Sequence, residues 1–191
     1  MMAPTRPLLI LTLSVSTLSA CSNQPEPIKP IQLYSNKETV QMSYCAELAD
    51  MAYLVASQKL QEQPKQSQID RFSNGTTAQI KLNLVEDVYA HDFTSAWDYS
   101  VDLFDQCALK VANVPAERLN IASYCAQKSL VAGGAHVLKQ AGSPKLDAYI
   151  MFASYKTTKP YEVIDAVYAK SSSHDAVAKK TWDSCIDILA E

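Results

Sequence analysis

The chain has 191 residues, with 17 Lys and Arg against 20 Asp and Glu and a formal charge of −3. So mild an acidity, with no basic stripe or polybasic run, excludes nucleic acid and an anionic lipid surface as electrostatic partners. Only four glycines and few alternating apolar runs leave strands and hairpins without support.

Residues 1–20 read as an export signal. The first seven carry one positive charge, Arg6, and the apolar run Leu8-Leu9-Ile10-Leu11-Thr12-Leu13 continues through Val15. It is too short to span a bilayer, which takes about 20 apolar residues. The signal closes on Leu18-Ser19-Ala20-Cys21, which resembles the lipobox of bacterial lipoproteins: a large aliphatic residue, two small ones, then Cys. All four positions match. The resemblance implies cleavage before Cys21, which then bears diacylglyceryl and N-acyl chains. One acyl chain binds a bilayer marginally and several bind it firmly. By the same resemblance Ser22, standing where an Asp would retain the protein, implies transfer to the outer membrane of a Gram-negative envelope, facing the periplasm. Residues 21–36 form a lipidated tether, broken by Pro25, Pro27 and Pro30 and kept wet by Asn23, Gln24 and Glu26.

The first folded half spans 37–113. A helix is expected over 37–61, where Cys45, Leu48, Ala52 and Val55 recur at three- and four-residue steps. Pro64 stops it. A short polar helix follows over 65–72, then the turn Ser73-Asn74-Gly75. The next helix covers about 77–90 with Ile80, Leu84, Val85 and Val88. A last one begins at Thr94 or Ser95, both N-cap residues, and presents Trp97, Val101, Phe104 and Ala108. Pro115 opens the second half, which spans 114–191.

That second half repeats the first. Residues 43–72 align with 123–152 without a gap. Identical pairs fall at Ser43, Tyr44, Cys45, Ala46, Ala52, Lys59, Pro64, Lys65 and Phe72, where ordinary composition would give about two. Val88-Tyr89-Ala90 then matches Val167-Tyr168-Ala169, Phe104 matches Trp182, and Cys107 matches Cys185. A shared heptad could not also place the proline and both cysteines. The fold class that follows is all-α: two tandem, duplicated three-helix units packed as a helical bundle. The segment 147–155 leans towards strand, but its polar partner 65–72 makes it helical. With Cys21 acylated, four cysteines remain, and four allow three pairings. Duplication favours Cys45–Cys107 with Cys125–Cys185, so that each half closes on itself in an oxidising compartment.

No cofactor is expected, and nothing reads as a reaction centre. His91-Asp92 and His174-Asp175 do not align in the repeat and read as solvated helix-start residues; His136 completes the histidines. HExxH, CxxC, CxxCH and GxSxG are absent. Ser171-Ser172-Ser173 reads as a helix cap, and Glu86, Asp87, Asp98, Asp102 and Asp105 as solvated helix faces. Gly133-Gly134 interrupts a helix where the first half has Tyr53-Leu54. It is either tolerated drift or the close approach of another helix, from the other half or a partner.

Signal, size, helix content and bridges together resemble small helical lipoproteins such as the secretin pilotins. Those hold a partner helix in an apolar groove, although no pilotin motif is matched here and the duplication departs from that family. The resemblance implies a non-catalytic envelope lipoprotein that binds or scaffolds another protein. The alternative is an immunity or inhibitor protein that neutralises a periplasmic, wall-degrading toxin.

Overall fold

The computed structural model describes residues 33–155, 159–169 and 171–188. The segment expected to be an export signal, Cys21 and most of the expected tether lie outside the described residues. Among the described residues eight helices follow in chain order: α1 (Asn36–Leu60), α2 (Lys65–Phe72), α3 (Ala78–Ala90), α4 (Ala96–Lys110), α5 (Ala116–Gln140), α6 (Lys145–Phe152), α7 (Pro160–Ala169) and α8 (His174–Ile186). Among the described residues no helix is long and apolar enough to cross a membrane. Each half is a long helix, a short one and two of medium length, and the segment 147–155 is helical through Phe152 as expected.

The end of the tether is a correction. Residues 33–36 belong to the folded part. Tyr34 is 1% exposed, and its hydroxyl donates to the Arg118 carbonyl at 2.6 Å. The Arg118 guanidinium donates to the Leu33 carbonyl and to Glu38 at 2.8 Å. A buried aromatic ring with a satisfied hydroxyl outweighs the wet composition of the residues before it. Ser35 then caps α1 in a reciprocal box with Glu38, an arrangement worth about 1 kcal/mol.

Both long helices end in the same way. The Glu62 and Gln63 amides donate back to Lys59 and Gln58, and the Gly142 and Ser143 amides to Lys139 and Leu138, the paired bonds of a Schellman motif. The motif needs a left-handed residue. Gly142 supplies it at φ +78°, whereas the first half uses Glu62 at φ +59°, where a side chain crowds the backbone. Glu62→Gly should therefore raise the unfolding free energy by roughly 0.5–1 kcal/mol, a gain that chemical denaturation will resolve.

The disulfides are the expected ones. Cys45–Cys107 joins α1 to α4 and Cys125–Cys185 joins α5 to α8, with Cα separations of 5.6 and 5.5 Å. Repeat partners also make the same bonds. Lys59 Nζ donates to the Val88 carbonyl at 3.1 Å and Lys139 Nζ to that of Val167 at 2.9 Å, each tying a long helix to the end of the third helix of its half. The Tyr89 hydroxyl donates to Gln63 and the Tyr168 hydroxyl to Ser143. Lys65 pairs with Glu86, and Lys145 with Asp165. Ser95 and Ser173 cap α4 and α8. These contacts give the duplication a physical basis: Lys59, Tyr89 and Ser95 and their repeat partners Lys139, Tyr168 and Ser173 fix helix ends in both halves.

The α1/α4 pair packs on the α5/α8 pair. One apolar core draws on both halves, and a smaller cluster fills the first half between Ala52, Val55, Ala56 and Leu84, Val85, Val88. Phe104 and Trp182, repeat counterparts, touch each other at 5.6 Å between ring centres. Trp182 also donates its indole N–H to Ser43 Oγ at 2.8 Å across the joint. Burying a ring like Phe104, which is fully inaccessible, contributes about 1.5–3 kcal/mol.

Candidate functional site

Where the two halves differ, the joint is polar. Asp50 on α1 occupies a position of the buried face (Met42, Cys45, Ala46, Ala49) and is itself buried. Its Oδ2 lies 2.6 Å from Nε2 of His174, the first residue of α8. The His136 ring on α5 meets that of His174 edge-on, 6.0 Å between centres, and the residue is 3% exposed. In the repeat alignment Asp50, His136 and His174 stand opposite Leu130, Ala56 and Ala96. All three polar groups are thus departures from an apolar plan.

His174 and His91 both correct the sequence expectation. His174 does start a helix, but its ring is mostly buried against Asp50 and keeps only an edge on the cleft. His91 is exposed, yet it follows the end of α3, and its ring bonds the Asp87 carbonyl at 2.8 Å. Of the carboxylates, Glu86, Asp87, Asp98 and Asp102 are exposed as expected, while Asp105 is only half-exposed and burial raises its pKa.

The glycine pair makes room for this cluster. Both glycines lie inside an unbroken α5. A Cβ on Gly133 would collide with Asp50 Oδ1 and stand 2.9 Å from His174 Cε1; one on Gly134 would stand 2.5 Å from Phe152 and 3.1 Å from Tyr53. The close approach expected as one of two readings is therefore the correct one, and it comes from the other half of the same chain as well as from α6.

Electrostatics set the protonation pattern. Burial raises the Asp50 pKa against the opposing pull of His174. Burial disfavours the His174 cation, but the hydrogen bond and charge of Asp50 outweigh it, so that pKa lies above 6.5. The pair consequently holds one proton between its two members. Burial pushes the His136 pKa down, and the nearby His174 and Lys139 push it further, so His136 is neutral. Asp50 Oδ1, His174 Nδ1 and both His136 nitrogens are buried without a hydrogen-bond partner. Desolvation pushes the adjacent Tyr53 hydroxyl up to about 12.

A cleft of about 420 Å³ opens beside the pair. Leu48, Met51 and Leu54 of α1, Phe72, Ile80 and Trp182 give it apolar walls, and Glu47, Arg71, Lys81 and Asp175 give it charges of both signs. Two of the hydroxyls near it serve the fold: Ser129 donates to the Ala178 carbonyl at 2.9 Å and Ser43 accepts from Trp182. Among the described residues no three His, Cys, Asp or Glu side chains are placed to hold a metal ion. A second hollow of about 640 Å³ lies between α5, α7 and α8. On α6, Leu146, Ile150 and Met151 are exposed where the repeat has Gln66, Asp70 and Arg71 on α2.

Sequence reasoning passed over Asp50. Its signal was available: a carboxylate at an apolar heptad position whose repeat partner is Leu130. Compared with protein-family models, curated proteins and solved structures, the chain has no match in any of the three.

Proposed function

We propose that the chain is a non-catalytic envelope lipoprotein, anchored through acylated Cys21 at the periplasmic face of the bacterial outer membrane, which binds a segment of another protein. The observation that carries this reading is the open cleft beside α1. An amphipathic helix laid there would offer apolar side chains at three- and four-residue steps to Leu48, Met51, Leu54 and Ile80. Rim charges of both signs would set its register more than its affinity. Two disulfides suit an oxidising compartment, and the exposed apolar residues of α6 offer a second contact.

Two linked measurements test it. A photo-reactive side chain at Ile80, in the cleft, should capture a discrete protein in intact envelopes, while one at Asn83, exposed on the same helix, should not. Exchanging Leu18-Ser19-Ala20-Cys21 for the cleavage site of an ordinary secretory signal, which is removed without acylation, should move the protein from the membrane fraction to the soluble periplasm. Equal labelling from both positions would remove the cleft as the binding site, and unchanged fractionation would remove the anchor.

A further inference from the structure

We propose that Asp50, His174 and His136 form a proton-operated latch on the joint between the two halves: one proton keeps it shut, and a second, taken up by His136, opens it. The geometry places all three on the joint. Asp50 comes from the first half, His174 and His136 from the second, and the closed state holds the 2.6 Å bond between Asp50 and His174. Gly133 allows α5 to approach Asp50 closely enough to bury it. Each of the three replaces an apolar residue of the duplicated plan, so the cluster is not something the packing requires. Asp50 Oδ1 and both His136 nitrogens are buried without partners, which costs stability unless the arrangement serves another purpose.

The charges around the cluster fix the direction of the effect. The groups acting on His136 are His174 from α8 and Lys139 from its own helix. Those acting on His174 are Asp50 from α1, Asp175 from α8 and Arg71 from α2, and Asp50 also feels Asp175. Near neutral pH the Asp50–His174 pair holds its single proton and His136 is neutral, so the joint carries no net charge. Acidification brings a proton to His136 in a position where both acting neighbours are cations. A histidine whose folded pKa is lowered takes its proton more readily when unfolded, so stability is lost as the pH falls below 6.5. The joint relieves that charge by opening towards water. This holds whatever docks in the cleft.

The readout is the Trp182 indole N–H, which is bonded to Ser43 across the joint and can be followed as a single resonance. Its protection from hydrogen exchange, corrected for intrinsic rate, should fall about tenfold or more between about pH 7.5 and about pH 5 in the oxidised protein. In His136→Leu the fall should disappear, leaving protection that holds or rises on acidification because the raised pKa of His174 favours the folded state there, and His136→Gln, which keeps the polarity but cannot charge, should behave as the leucine variant does. Level protection in the unaltered protein would overturn the latch. So would a fall of equal size in both variants, since Asp50 or a distant carboxylate would then be the group that titrates.

Discussion

Replacing Cys125 and Cys185 together by alanine should lower the unfolding free energy by about 4 kcal/mol, measured by urea denaturation of the oxidised protein. The bridge closes 60 residues between α5 and α8, and most of its effect is to deny the unfolded chain the conformations in which those helices part. The Cys45–Cys107 bridge closes 62 residues. Loop-closure entropy grows only with the logarithm of length, so its removal should cost the same within a few tenths of a kcal/mol. A clear inequality between the two would place the difference in the native packing of one half. A loss below about 1 kcal/mol for both would mean that the reduced chain stays compact and the entropic account is wrong. Either loss is large beside the 5–15 kcal/mol that holds a typical domain together.

The pairing behind that prediction was legible because the repeat constrains it. Cysteines at matching places in two copies of one unit leave a single pairing in which each copy is closed. The helix boundaries were legible for local reasons: Ser95 and Ser173 are caps, Pro64 and Pro144 are stops, and the apolar steps along α1 have helical period. What stayed hidden was whatever depends on contact between the halves. Asp50 and His174 are 124 positions apart, and no periodicity links them. Each looks ordinary in its own helix: an acid among small residues, and a histidine after a run of serines. The Gly133-Gly134 pair hinted at close approach, but only the packed structure shows that the approaching atoms belong to Asp50, His174, Tyr53 and Phe152. Tyr34 was hidden for the same reason, since its partner Arg118 lies 84 residues on. Comparing the two halves for polarity as well as identity would have singled out Asp50, His136 and His174.

His174→Ala should cost about 3–5 kcal/mol near neutral pH, because it leaves the Asp50 carboxylate buried and unpaired. Removing Asp50 is the milder change, since an unpaired His174 can shed its proton. The deficit of His174→Ala has a pH signature. His174 has a pKa above 6.5, so its contribution is complete below that value and fades as the pH rises through the raised one. On the acid side the variant recovers, because an unpaired Asp50, whose pKa burial already raises, takes up a proton and ceases to be a buried charge. The gap between the two proteins should thus be widest near neutrality and narrow in both directions. Adding Asp50→Asn to His174→Ala keeps the shape of the carboxylate and removes its charge. It should restore all but about 1–2 kcal/mol, the remainder reflecting an amide left without its partner. If the double variant were as unstable as the single one, the cost would lie in the lost imidazole packing against Gly133 and His136, and the joint would be held by shape instead of charge.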